Sequence, residues 1–344
     1  MSISGEDRLE AFLRHQQEES VKQGGVPRST QADFRGLYDQ ALKKGWRFYL
    51  PEELGKIFTG LEGADEPCGI WANGALDLAA WRQPVIAVVG ARRAGPYGIA
   101  VAEQLSRDLV RLGVTVASGL AYGVDTASHS VALDSNGWTI AVLGTGLDVF
   151  YPPSNRRLQE ELIPAQGAVI SEFPLGAGPR APNFPRRNRL IAALSLAVIV
   201  VEGDMDSGAL ITARWAAKIG KDVFAVPGSI FSKMSRGPNA LIRQGAIALT
   251  SINDLIEELP DVAALSKPPV KKAAIKEPPG VPQASQTGEQ ILRHLSSEPR
   301  TLDAILETTG LDLELANKTL LELELSGRVR ESANGYVLIR EERR

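Results

Sequence analysis

The chain has 344 residues, 44% hydrophobic and 23% charged, with 38 Lys and Arg against 41 Asp and Glu for a formal charge of −3. That is room for two or three domains at about 150 residues each, with ample material for a core. No apolar run reaches the about 18 residues of a membrane-spanning helix, residues 1–14 are polar and acidic rather than leader-like, and one cysteine (Cys68) with three histidines argues against disulfides and metal clusters; a cytoplasmic, metal-free protein is expected.

Residues 1–45 read as helical and polar, broken at Gly24 to Pro27, and carry no evident chemistry. From Trp46 to Ala80, short apolar stretches alternate with Gly and Pro, as small strands and turns flanking a larger domain do. From about 84 to 250 the pattern becomes regular. Val85 to Val89 is a continuous apolar run, as expected of a strand buried on both faces of a parallel sheet. Ala102, Leu105, Leu109 and Leu112 follow at helical spacing. Further strands are predicted at 114–117, 138–143, 168–170, 196–201 and 223–226, with helices at 124–133 and 209–219. This alternation predicts βαβ units and a doubly wound, mostly parallel sheet.

Residues 260–286 hold six of the 21 prolines and read as a tether, placed at 261–286. Residues 287–344 then run helix, helix, helix, hairpin, the order of a winged helix. Ile291, Leu292 and Leu295 fill the first helix and Thr301 caps the second. Leu315, Leu320, Leu321 and Leu325 line the third, and Asn334-Gly335 turns the hairpin.

Charge is unevenly placed. Residues 179–245 carry ten basic and four acidic side chains, a local balance of +6, against eight basic and eleven acidic in 287–344. A basic segment inside an acidic protein suggests a localised anion site, although a solvated positive face would look the same. Ligands of open α/β sheets bind beyond the carboxyl ends of the strands. There the sequence sets Gly90-Ala91-Arg92, Ser118-Gly119 through Asp125, Gly144-Thr145-Gly146, Glu202-Gly203, Ser207-Gly208 and Pro227-Gly228. Glycines let backbone approach a ligand, and helix N-termini point N–H groups at anions, so these turns read as phosphate cups. Between two strands, Asn183-Phe184-Pro185-Arg186-Arg187-Asn188-Arg189 opens a helix at about Pro185. Arginines in a first helical turn oppose the helix dipole, so a ligand role suits them: bidentate phosphate contacts beside an aromatic for a base. Alternatively, one of them pairs with Glu202 or Asp204 to hold the helix.

Neither a P-loop nor a G-x-G-x-x-G dinucleotide turn is present. His129, on a helix beside Ala127 and Val131, reads as a satisfied semi-buried histidine rather than a base. Asp125 reads as the organiser of its loop, and no catalytic set emerges.

The ordered motifs Gly90-Ala91-Arg92, Ser118 to Asp125, Gly144 to Asp148 with Tyr151-Pro152, Phe184 to Ile191, Ser207 to Thr212, Ala225 to Gly228 and Gly237 to Gly245 resemble the bacterial DNA-processing protein A family, DprA or Smf. The resemblance covers 46–250 and extends to the tethered winged helix. It implies an extended Rossmann-like domain (46–260) that binds single-stranded DNA, usually as a homodimer. It also implies loading of RecA recombinase during natural transformation, with no cofactor and no turnover. Carried over, Gly90 and Arg92 would hold a backbone phosphate, and Ser118, Gly119, Ser207 and Gly208 would offer further cups. Phe184 would lie against a base, with Arg187, Asn188 and Arg189 completing the groove. Where many members carry a basic residue just before the aromatic, this chain has Ala181 and Pro182, so Arg180 is taken as the substitute. The family's N-terminal helix-hairpin-helix-like module is not evident in 1–45. The third winged-helix segment is acidic (Asp312, Glu314, Glu322, Glu324 against Lys318) and reads as a protein-contact or regulatory surface rather than a duplex reader. The competing readings are a phosphoribohydrolase-like enzyme and a nucleotide sensor.

Overall fold

A computed structural model of the chain describes residues 10, 12–14, 31–54, 57–74, 84–163, 167–265, 286–295, 300–325, 328–332 and 335–338. The chain divides into two compact units, 1–268 and 269–344.

The larger unit is built on nine strands. They are β1 (Arg47–Tyr49), β2 (Ile70–Gly74), β3 (Val85–Val89), β4 (Thr115–Ser118), β5 (Thr139–Val142), β6 (Gly167–Ser171), β7 (Ala197–Val200), β8 (Asp222–Ala225) and β9 (Ile247–Ala248). Their order is β1-β2-β6-β5-β4-β3-β7-β8-β9. The seven strands from β6 to β9 in that order are mutually parallel, and β2 and β1 add an antiparallel edge. The expected parallel sheet is therefore present, and the small strands of 46–80 extend the same sheet.

Alternation along the strands explains the layers. Val85, Ala87 and Val89 of β3 pack with Val198 and Val200 of β7 into one core. The intervening Ile86 and Val88 pack with Ala197 and Ile199 into a second core. Both faces are buried, so both must be apolar, and the strands read as continuous hydrophobic runs. Helices α3 (Pro96–Arg111) and α4 (Val124–Asp134) cover the second core, through Ala102, Leu105, Leu109 and Val124. Helices α6 (Asn183–Leu194) and α7 (Gly208–Lys218) cover the first, through Leu190, Ile191, Ala209 and Ala213. The unit also contains helices α1 (Gln31–Lys43), α2 (Pro51–Leu54), α5 (Arg156–Leu162), α8 (Arg236–Arg243) and α9 (Ile252–Glu258). After β3 the chain lays strands outward through β4, β5 and β6, then returns across the sheet to place β7 on the other side of β3. That reversal opens a crevice at the carboxyl ends of β3 and β7.

Two features depart from the sequence reading. The N-terminal segment is not merely polar. Phe12 is fully buried against Tyr38, Phe48 and Trp71, with ring centroids 5.0, 5.7 and 5.2 Å away. The start assigned to the tether also folds: Pro260–Ala263 forms α10, and Val262 is fully buried in the second core. Pro260 sits at the first helical positions, where its missing N–H costs nothing. Most of the rest of the tether lies outside the described residues.

The smaller unit has the expected order, with α11 (Gln286–His294), α12 (Leu302–Thr309), α13 (Leu313–Leu325) and an antiparallel hairpin of β10 (Val329–Ser332) and β11 (Gly335–Leu338). Ile291, Leu295, Ile305, Leu320, Leu323 and Val329 form its core, and the Thr301 hydroxyl accepts from Ala304 N. Leu315, expected to line α13, is instead 40% exposed, while Leu323 is buried. The side chains of Leu321 and Leu325, and Asn334 in the expected turn, lie outside the described residues. Among the described residues, no helix is long and apolar enough to cross a membrane.

Candidate nucleic-acid interface

The crevice between β3 and β7 is a cleft of about 680 Å³. Gly90, Arg92 and Arg93 enter it from the turn after β3; Phe184, Arg187 and Asn188 from the first turns of α6; Ser207 and Gly208 from the start of α7. Seven of the eleven expected residues therefore converge.

Arg92 stands exposed at the mouth, its guanidinium 4.9 Å above the Phe184 ring. The ring itself is held on other sides. A Cβ on Gly144 would lie 2.7 Å from it, so that backbone passes close beside the ring, and Tyr151 packs against it at 5.4 Å between centroids with the rings tilted by 41°. Phe184 thus supports Arg92 as a fixed, oriented cation.

Arg187 works from below. It is buried, donates to the carbonyls of Gly119 and Val142, and donates through Nε to Asn188 Oδ1 at 3.1 Å. Those carbonyls end β4 and β5, so Arg187 ties two strand ends together. Burial lowers its pKa to about 10, with Asp125 opposing and the neighbouring Arg92 assisting the shift. It stays protonated at neutral pH and adds positive potential to the floor. Asn188 Nδ2 donates to the Gly208 carbonyl at 3.0 Å, joining α6 to α7.

Several expected phosphate cups are already filled by the protein. Asp125 accepts from the N–H groups of Gly119 and Ala121, both at 3.2 Å. Its pKa is raised by burial, a shift offset in part by Arg187 and these bonds. Glycine is required at 119 because a Cβ would lie 2.4 Å from the Arg187 guanidinium. Ser118 is fully buried and its hydroxyl donates to Val88 O at 2.7 Å, so it is a strand tie, not a phosphate ligand. At the start of α3, buried Glu202 accepts from Gly95 N at 2.9 Å, a carboxylate at a helix N-terminus. Ser207 caps α7, accepting from Ala209 N at 3.3 Å.

Arg189 does not join the cleft. Its guanidinium pairs with both oxygens of buried Glu172 at 2.6 and 2.7 Å and donates to Asp65 O at 2.8 Å. Arg186 meets the same carboxylate at 3.2 Å. An arginine does hold the helix, as the alternative had it, but through Glu172 rather than Glu202 or Asp204. Arg180 is exposed in the turn before α6 and is not among the cleft-lining residues. Residues not assigned to the site from sequence are Arg93 and Tyr151, both lining the cleft, and Asp204 and Asp206 on its β7 side. Arg93 had a visible signal, since it shares the turn of Arg92.

His129 is fully buried, with Nδ1 2.7 Å from Thr139 Oγ1. Burial, with Arg187 adding, lowers its pKa from 6.5 to about 3, so it is a neutral core residue.

The fold and cleft together define a Rossmann-like protein whose strand-end crevice presents guanidinium groups on an aromatic support, while its own carboxylates occupy the neighbouring backbone donors. More specifically, the chain belongs to the DNA recombination-mediator protein A family, whose model matches residues 49–260; the DprA winged helix domain matches 275–335. It is 37% identical to protein Smf of Escherichia coli over 302 residues, 85% of this chain and 75% of that one. It is 44% identical to DNA processing protein DprA of Streptococcus pneumoniae over 208 residues, 60% and 70% of the two chains. The X-ray structure of DprA from Streptococcus pneumoniae superimposes with a TM-score of 0.58 at 35% identity, covering 75% of this chain and 99% of that one. DNA processing protein A of Helicobacter pylori, whose structure describes a single-stranded DNA binding mode, gives 0.55 at 31% identity, covering 62% and 96%.

Proposed function

We propose that this chain binds single-stranded DNA along the cleft without reading its sequence, and that it loads RecA recombinase onto the strand in recombination and natural transformation. It acts as a cytoplasmic homodimer and turns over no substrate. The observation that carries the DNA reading is Arg92, exposed at the cleft mouth and braced on Phe184. A guanidinium contacts any phosphate, so this contact does not discriminate sequence. The filled donor positions at Gly95, Gly119 and Ala121 favour an open groove over a nucleotide pocket. Family membership and the single-strand binding of the Helicobacter pylori relative point the same way.

Titration with single strands and duplex across salt concentrations tests it. Arg92→Ala should weaken single-strand binding for every sequence and reduce the slope of log K against log salt by about 0.7. An affinity and slope equal to the unsubstituted protein would overturn the groove. RecA filament growth on strands coated with single-strand-binding protein should accelerate with the unsubstituted chain. Incubation with nucleoside monophosphates should release no free base; release would favour the phosphoribohydrolase-like alternative.

A further inference from the structure

Among the described residues of the larger unit, six large apolar side chains stand open to solvent: Leu42, Tyr97, Tyr122, Met205, Ile230 and Phe231. Five of the six lie on one edge of the sheet. Tyr122 follows β4, Tyr97 follows β3, Met205 follows β7, and Ile230 with Phe231 follow β8. Those four strands are consecutive neighbours in the sheet. At about 4.8 Å per strand, the row spans about 14 Å beside the cleft. Scattered exposed apolar residues need no explanation, but a row across adjacent strand ends does.

The row is held in place. The Tyr97 hydroxyl reaches past β7 to donate to Pro227 O at 2.9 Å. The Asn239 side chain exchanges two hydrogen bonds with the backbone of Gly228, at 3.0 and 3.2 Å. Ser229 Oγ accepts from Phe231 N at 3.3 Å, and the Met234 carbonyl accepts from Gly203 N at 2.7 Å. This loop therefore presents Ile230 and Phe231, 81% and 92% exposed, from a fixed base, and it contributes Met234 to the cleft wall.

Resting on the single-strand reading of the cleft, we propose that this ridge is a second subsite, which takes the bases of the strand whose phosphates run along the cleft. Phosphates meet Arg92 and Arg93, and exposed Lys233 and Arg236 continue the positive charge beyond the Phe231 tip. Asp204 and Asp206 flank Met205 and repel phosphate at that point, so the strand turns its bases, not its backbone, toward the ridge. Tyr122 and Phe231 are exposed aromatic rings, whereas Phe184 is engaged by Arg92, Tyr151 and the Gly144 backbone.

The test compares an oligo-dT strand with an abasic phosphodiester strand of equal length, for Phe231→Ala, Tyr122→Ala and the double variant. Each substitution should weaken oligo-dT binding about ten-fold, the effects multiplying, with abasic binding and Tm unchanged. Phe231→Trp should restore affinity. The proposal is overturned if the double variant binds oligo-dT like the unsubstituted protein, or weakens on both strands alike. Loss of self-association with DNA affinity intact would overturn it equally, assigning the ridge to protein contact. Arg92→Ala should weaken both strands; were it to weaken neither, the cleft reading would fall, while the two-strand comparison would still decide the ridge.

Discussion

Arg92, Arg187 and Arg189 look equivalent in sequence and take three different positions. Arg92 is exposed at the cleft mouth, Arg187 is buried beneath the cleft, and Arg189 is locked to Glu172. Arg189→Ala would leave the buried Glu172 carboxylate with only the half-buried Arg186 as an ion-pair partner, and because removing one partner of a buried pair costs about 3–5 kcal/mol, the loss should approach the lower end of that range. Urea unfolding should show that loss, and Arg189→Ala with Glu172→Leu together should recover part of it. His129 gives a pH signature. Its folded pKa lies below the unfolded value of 6.5, so its stabilising effect is complete above about 6.5 and declines as pH falls toward 3. Unfolding free energy should drop by about 1.4 kcal/mol per pH unit through that window from this group, and His129→Gln should flatten the profile by that amount. Residue chemistry was partly legible. Arginines in a first helical turn signalled a special role, and the Gly90 turn marked the cleft. Which arginine faces outward was not legible, because Glu172 lies 17 residues from Arg189 and β6 delivers it there.

At the scale of elements, the first turn of α3 shows how packing sets the site. A methyl at Gly98 would lie 2.3 Å from a Glu202 oxygen, and Glu202 holds Gly95 at the end of the Arg92 turn. Gly98→Ala should therefore loosen that turn and weaken single-strand binding without a contact to DNA being touched, measurable as reduced affinity at a small change in Tm. The N-terminal segment is an element in the same sense: Phe12→Ala should destabilise the larger unit by about 3–5 kcal/mol, read by denaturant unfolding. Parallel strands were the most legible elements, since burial on both faces leaves continuous apolar runs at Val85–Val89 and Ala197–Val200. The aromatic cluster around Phe12 was not, because its partners come from distant segments with no shared period. The four-residue α10 was hidden by Pro260, which reads as a breaker yet starts a helix.

For the whole molecule, the division at residue 268 predicts separable behaviour. A chain ending at 268 should unfold with the midpoint of the larger unit in the full protein and keep single-strand affinity within about two-fold, about 0.4 kcal/mol. A loss of ten-fold or more would give the winged helix a direct share of binding. The parallel sheet and the C-terminal winged helix were legible from periodicity, whereas the row of exposed apolar side chains across the strand ends was not, since it depends on a strand order that returns β7 to the side of β3. One consequence concerns the crowd of small metabolites in which such a protein works. By seating its own acids on the amides at Gly95, Gly119 and Ala121, the fold has closed the docking points that ATP and its kin seek in related crevices. A long strand can still engage through many weak grips, so the protein should hold its DNA unpoisoned by the free nucleotide pool.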